Sequence, residues 1–245
     1  GVSEKPGWPT ARLSEVAEVN PTNPDHLPDD EATVTFLPMA AAEEISGRIN
    51  PSETRGWRDV RTGYTRFQEG DILFAKITPS MENGKIVLAK GLERGVGAGS
   101  TEFHVLRPSE RVDRRYLLHY LLQEGFRRNA RAHMTGTAGQ LRVPKGFLED
   151  HELPVPPLPV QRAVVETIES HLSRLDNAVE SLKAAQAKLQ QYRASVLKAA
   201  VEGRLVPTEA ELARKEGRDY EPASVLLERI LKERKRRWIE DAAEK

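Results

Sequence analysis

The sequence predicts an α+β protein: a globular mixed α/β domain built on a twisted sheet, then a long coiled-coil helix and a shorter C-terminal helix. Three observations predict it. Short apolar runs separated by turn residues fill the first 153 positions, prolines crowd Leu153–Pro159, and a heptad pattern begins just beyond them. The 245 residues are 38% hydrophobic, enough for a real core in one or two domains.

The first part justifies its elements in order. Ser14 is placed to cap a short helix over Glu15–Val19, stopped by Asn20-Pro21. Thr33–Leu37, Asp71–Ile77, Lys85–Ala89 and Thr101–Leu106 read as strands. Gly70, Asn83-Gly84 and Gly95–Gly99 supply the turns before the last three. Gly95–Gly99 reads as a hairpin loop, since a phosphate-binding glycine loop would follow a strand and open a helix. Asp113 is an N-cap for a helix to about His133, with Tyr116, Leu117, Tyr120, Leu121 and Phe126 on its apolar face. Gly136 and Gly139 mark a loop, and Pro144 opens a helical turn over Phe147–Asp150. The elements lack a βαβ rhythm, which argues against a doubly wound sheet.

Four prolines between Pro154 and Pro159 cannot lie inside a helix and favour a stiff, extended connection. The predicted division is therefore 1–153 and 154–245. Beyond the prolines, Ile168, Leu175, Leu182, Leu189 and Val196 form one apolar line at heptad spacing. Leu172 and Val179 begin a second line that fades at Gln186 and Arg193. A helix from about 160 to about 202 would be about 65 Å long at about 1.5 Å per residue. Gly203 and Pro207 end it, and a polar link with Gly217 follows. A second helix starts near Pro222, with Leu226, Leu227, Ile230, Leu231 and Trp238 expected to face inward and a basic run at Lys232–Arg237. A long helix with one apolar stripe is not stable alone in water. The 222–240 helix is too short to cover it, so its partner must be a second long helix, from another copy, another protein or a further part of the same chain.

Composition excludes several chemistries. With no cysteine there are no disulfides, iron–sulfur clusters or thiol nucleophiles. The 37 basic residues balance 37 acidic ones, which argues against a wholly basic coat or an acidic tail. No apolar run or leader pattern points to a membrane or to export, so a soluble cytoplasmic protein is expected. None of the six histidines has metal-ligand spacing with a carboxylate partner, so no metal site is expected. Glu233-Arg234-Lys235 has a nuclease-like spacing without an upstream aspartate. No catalytic residue is assigned. Positive charge is instead local. Residues 104–145 carry nine Lys/Arg against three acids, and 55–66 carry four Arg against Asp59, with Trp57 and Tyr64 interleaved. Such clusters suit a phosphate backbone.

Four stretches, Gly70–Lys85, Gly99–Pro108, Leu153–Arg162 and Ser195–Pro207, carry a similarity that spans nearly the whole chain. On them the sequence resembles the specificity (S) subunit of type I restriction–modification systems. The resemblance implies a non-catalytic subunit whose target recognition domain reads one half of a split DNA site. It implies antiparallel pairing of long helices that act as a ruler, and docking of adenine-methylating M subunits. R subunits would join for ATP-driven translocation and cleavage. It places S-adenosylmethionine in M, and ATP and Mg²⁺ in R, with no cofactor on this chain. Family members carry two recognition domains and two long helices; this sequence shows one of each. It is either a half-subunit that forms a homodimer or the N-terminal half of a longer chain.

Recognition is expected from residues 8–153, largely in the major groove. Because family members differ in target, the less recognisable segment 46–66 is the better source of base contacts. Arg48, Asn50, Arg55, Arg58 and Arg61 are the candidates. Lys76, Thr78, Lys85 and Arg142 are expected to hold phosphates or build the fold, and Thr135, Thr137 and Gln140 form a polar loop that could reach DNA. A coiled-coil scaffold without sequence-specific DNA binding is the alternative; it leaves the basic first part without a purpose.

Overall fold

All four residues of the strand Ile72–Ala75 are buried, although alternate side chains of a strand point to opposite faces. Only a sheet covered on both sides permits that, and it sets the layering of the domain. The computed structural model describes residues 7–50, 53–137 and 139–243. Two units are present, Gly1–Leu172 and Ser173–Lys245.

In chain order the first unit contains β1 (Thr10–Arg12), α1 (Leu13–Val16), β2 (Ala17–Val19), β3 (Thr33–Leu37), β4 (Glu53–Gly56) and α2 (Trp57–Val60). It continues with β5 (Thr65–Gln68), β6 (Ile72–Ala75), β7 (Ile86–Leu88), β8 (Val96–Gly99) and β9 (Phe103–Pro108). Then come α3 (Arg114–Leu122), α4 (Glu124–Ala132), α5 (Lys145–Asp150), β10 (Glu152–Pro154) and the start of α6 (Leu158–Val201). The strands form two four-stranded sheets, ordered β2-β9-β6-β7 and β4-β3-β8-β5, and β1 pairs with β10. Within the second sheet β3 and β8 run parallel; the other pairings are antiparallel.

Ile72 and Phe74 of β6 face a core shared with Leu13, Leu117, Leu121, Phe126, Leu148 and Val165. Leu73 and Ala75, with Phe103 and Val105 of β9, face the second sheet and share a core with its Leu37 and Phe67. The far side of that sheet is covered by α2, through Trp57 and Val60 on Val34, Phe36, Val96 and Ala98. The order of layers is therefore helices, first sheet, second sheet, α2. Each large side chain buried this way contributes about 1.5–3 kcal/mol relative to exposure.

The expected α+β class holds, with local corrections. There are two packed sheets and not one. The expected helix at Glu15–Val19 is α1, which starts two residues earlier and ends at Val16, and Ala17–Val19 is a strand on β9. Glu15 accepts from the Arg12 N–H at 2.8 Å, and Ser14 spends its hydroxyl on the Glu149 carbonyl instead of capping. Gly95–Gly99, expected as a loop, supplies β8, an interior strand between β3 and β5. Glycine is needed there by space: a Cβ on Gly99 would lie 2.4 Å from the Leu37 carbonyl oxygen, and one on Gly97 2.3 Å from the Phe67 ring. The helix expected to run from Asp113 to His133 breaks at Gln123, whose ψ of 138° is extended. The break turns α4 so that Phe126 meets Phe74 edge-on, with ring centroids 6.1 Å apart. Asp113 does cap α3, accepting from the N–H groups of Arg115 and Tyr116.

The second unit holds the rest of α6, then α7 (Glu209–Glu216) and α8 (Ala223–Ala243). The expected polar link contains α7, started by a reciprocal Thr208–Glu211 capping box and ended by Gly217 at φ 64°. Leu226, Leu227, Ile230, Leu231 and Trp238 of α8 do not face inward; all are exposed, Trp238 by 72%. The heptad line is also open to solvent: Leu175 is 59% exposed and Leu182 70%. Among the described residues no helix is long and apolar enough to cross a membrane.

Candidate nucleic-acid interface

Strand β6 ends at Ala75, and the chain beyond it is sewn to the segment after α4. The Val143 N–H donates to the Lys76 carbonyl at 2.8 Å, and the Thr78 N–H donates to the Leu141 carbonyl at 3.0 Å. Thr135 and Arg142 exchange both backbone hydrogen bonds, at 2.9 and 2.8 Å, and close the loop that carries Thr137 and Gln140. Six of the seven expected phosphate or loop residues share this loop pair: Lys76, Thr78, Thr135, Thr137, Gln140 and Arg142. The Gln140 N–H donates to the Thr137 carbonyl at 2.9 Å. Lys85 is apart, half-buried, with Nζ 3.4 Å from the Met39 carbonyl.

The chemistry of these side chains differs. The Arg142 guanidinium donates twice to the Glu102 carboxylate, at 2.9 and 2.8 Å, and that contact holds the Glu102 carboxyl below its usual range. The Thr78 hydroxyl donates to Glu82 at 2.6 Å and so serves the fold. Lys76 has no side-chain hydrogen bond or ion pair within the described residues and is only half-buried.

The expected base-reading residues form a second group. Arg55 on β4 lies over the Phe36 ring, 3.6 Å from its centroid, and donates to Glu53. Arg58 lies in α2 and Arg61 is its C-cap, and they pair with Glu31 and Asp30, at 3.1 and 2.7 Å. All three pairs are exposed, and exposed pairs of this kind are held weakly and exchange readily for a phosphate. Arg48 and Asn50 sit on the exposed turn before β4. The Asn50 N–H donates to the Ala41 carbonyl at 2.8 Å, and the Arg48 carbonyl accepts from Glu43 at 3.1 Å. Trp57, which the sequence shows among the arginines, is 3% exposed and belongs to the core.

Residues that the sequence reading did not select join the two groups. Tyr64 meets Phe36 edge-on at 5.1 Å, on the ring that carries Arg55. Tyr64 and Arg66 then line a cavity of about 260 Å³ together with Lys76, Asn20 and Thr101. The cations of the 55–66 segment thus continue through Tyr64 and Lys76 toward Arg142. The only sequence signal for this was Tyr64 spaced between Arg61 and Arg66.

Below this surface His104 is buried, and burial pulls its imidazole below the usual histidine value. It links Asn20, on the cavity wall, to Val143, behind the loop.

Comparison with known proteins gives a consistent result. A family model described as the type I restriction modification DNA specificity domain matches residues 5–191. The EcoAI and EcoEI type I restriction enzyme specificity subunits of Escherichia coli are each 32% identical over 93% of this chain. The chain spans 44% of the length of these relatives. The fold is similar to a crystal structure of the HsdS subunit from Thermoanaerobacter tengcongensis. That match has a TM-score of 0.60 at 21% identity, over 89% of this chain and 52% of the other. A structure concerned with complex assembly and conformational transition of the type I R-M system gives 0.58, with the same identity and coverage.

Proposed function

The chain belongs to the type I restriction–modification DNA specificity family, and we propose that it is the non-catalytic DNA-reading component of such a system. Its first unit reads one half of a bipartite duplex site. Methyltransferase subunits dock on it and modify adenine with S-adenosylmethionine. Translocating and cleaving subunits, where present, bring ATP and Mg²⁺. The system works in the cytoplasm.

One observation carries the reading: the continuous run of cations and one exposed aromatic ring from Arg55 through Tyr64 and Lys76 to Arg142. It lies on the unit that the specificity-domain match covers. Arginine can read guanine through a two-point contact, whereas lysine serves a phosphate as a point charge. Arg55, Arg58, Arg61, Arg48 and Asn50 are therefore assigned to bases, and Lys76, Arg142 and the Thr135–Gln140 loop to the backbone. The line Ile168, Leu172, Leu175, Val179, Leu182, Leu189 and Val196, exposed at its five middle positions, pairs with a second long helix. That helix comes from another copy or from a further part of a longer chain.

The test is methylation mapping in the assembled system. Arg55→Ala or Arg58→Ala at a base contact relaxes preference at one position, by about 1–3 kcal/mol. Lys76→Ala weakens all sites alike and lowers the salt dependence by about one unit of slope. A chain whose DNA affinity ignores salt would favour the scaffold alternative.

A further inference from the structure

Gln161, in the first turn of α6, is fully buried. A buried amide is costly unless each of its groups is paired, and here the pairing is complete. Its Oε1 accepts from the Asp113 N–H at 2.7 Å. Its Nε2 donates to the Pro156 carbonyl at 2.7 Å and to the Arg111 carbonyl at 3.2 Å. Asp113 is the N-cap of α3, and its own N–H is the group that a glutamate or glutamine three residues on would accept from in a capping box. That position is Tyr116, which cannot do so. Gln161 supplies the missing half of the box from a different helix. One turn further, Val165 is fully buried in the main core. A turn beyond that, Glu169 pairs with Arg115 at 3.0 Å and faces His119 at 3.8 Å. Gln161 and Glu169, two turns apart on α6, are thus keyed to α3 by two different kinds of contact, with Val165 between them buried in the core that α3 shares.

We infer that Gln161 is a positioning residue for bipartite DNA reading: by locking the root of α6 to the cap of α3 it fixes the spacing at which two half-sites are accepted. The inference rests on the function proposed above. Hydrophobic contact alone would let a helix roll or slide by small steps, whereas three directional hydrogen bonds to three backbone groups admit one setting. Base preference within a half-site depends on residues of other elements and is untouched by Gln161.

The experiment uses the natural assembly carrying Gln161→Met, which keeps volume and removes all three hydrogen bonds. Methylation is read on a DNA library with one half-site pair and spacers of every length. The expected result is at least a tenfold loss of discrimination between the parental spacer and spacers one base pair longer or shorter, with unchanged half-site bases. The variant Arg115→Ala/Glu169→Ala, at a half-exposed pair, leaves the buried amide in place. It is expected to loosen the spacing less. If Gln161→Met fails to fold, Gln161→Glu, which keeps the acceptor for the Asp113 N–H and removes both donors, decides the question by the same readout. Hydrogen exchange over 158–172 in the full chain is measured in parallel. Faster exchange there with parental spacer discrimination would overturn the inference, since the latch would then serve stability alone. A parental assembly that accepts all spacers equally would instead overturn the bipartite reading itself, and the inference with it.

Discussion

Asn20 and His104 determine one another's chemistry. Asn20 Oδ1 accepts from the Val105 N–H at 2.9 Å, which orients the amide and leaves Nδ2 to donate to His104 Nδ1 at 2.9 Å. The imidazole must therefore carry its proton on Nε2, which donates to the Val143 carbonyl at 2.9 Å. Protonation at Nδ1 would set two donors face to face. Burial lowers the folded-state pKa below that of the unfolded chain, so the unfolded state binds the extra proton first. The stabilisation is complete above about pH 6.5 and is lost as pH falls through the folded value. Urea unfolding between about pH 7 and pH 5 should show falling stability, and His104→Gln should flatten part of that slope. The remainder belongs to His119 and His151, which burial shifts the same way.

The Asp71–Arg107 pair is expected to respond asymmetrically to substitution. Asp71 is 1% exposed and accepts two hydrogen bonds from Arg107, at 2.9 and 3.0 Å. Against the cost of burying its own charge, the Asp71 carboxylate still raises the Arg107 pKa. Arg107→Ala strands a buried carboxylate and should cost about 3–5 kcal/mol in denaturant unfolding. Asp71→Asn/Arg107→Leu should cost much less, because no uncompensated charge remains.

Glycines in this chain divide by what a methyl group would meet. Gly99→Ala drives a Cβ against backbone and should be the most damaging, about 1–3 kcal/mol or more, with Gly97→Ala next. Gly125→Ala in α4 meets nothing within 4 Å and should raise stability by about 0.4–1 kcal/mol. Thermal melts of the three variants order them, and a tolerated Gly99→Ala would contradict the close approach of β8 to Leu37.

The exposed heptad line predicts an association phenotype without a folding one. Leu175→Asp/Leu182→Asp places charges on side chains already 59% and 70% exposed in the single chain. The melting of the first unit should be unchanged. Sedimentation of the natural assembly should show loss of helix pairing.

How much of this was readable in advance follows from the range of the forces. Thr33–Leu37 was readable to the residue because its β-branched run is local information. The Asp113 cap and the heptad helix were readable for the same reason. β8 was not, because Val96–Gly99 is a strand only by virtue of the space that Leu37 and Phe67 deny to side chains. The break at Gln123 follows from where Phe126 must pack, again a tertiary demand. The site divides likewise. The clustering of Arg55, Arg58 and Arg61 is visible in sequence, but the link through Tyr64 to Lys76 needs residues 12 apart brought to one cavity. Gln161 stood in a recognisable stretch, yet nothing local announces that it completes the cap of a helix 48 residues earlier.

The pairing of Thr10–Arg12 with Glu152–Pro154 has a mechanical consequence. The Val155 N–H also donates to the Pro9 carbonyl at 2.8 Å. The chain that leads into the prolines is therefore tied by a short ladder to the opposite end of the domain's chain. Neither end can fray without releasing the other, so the first strand and the segment before α6 open or stay closed together.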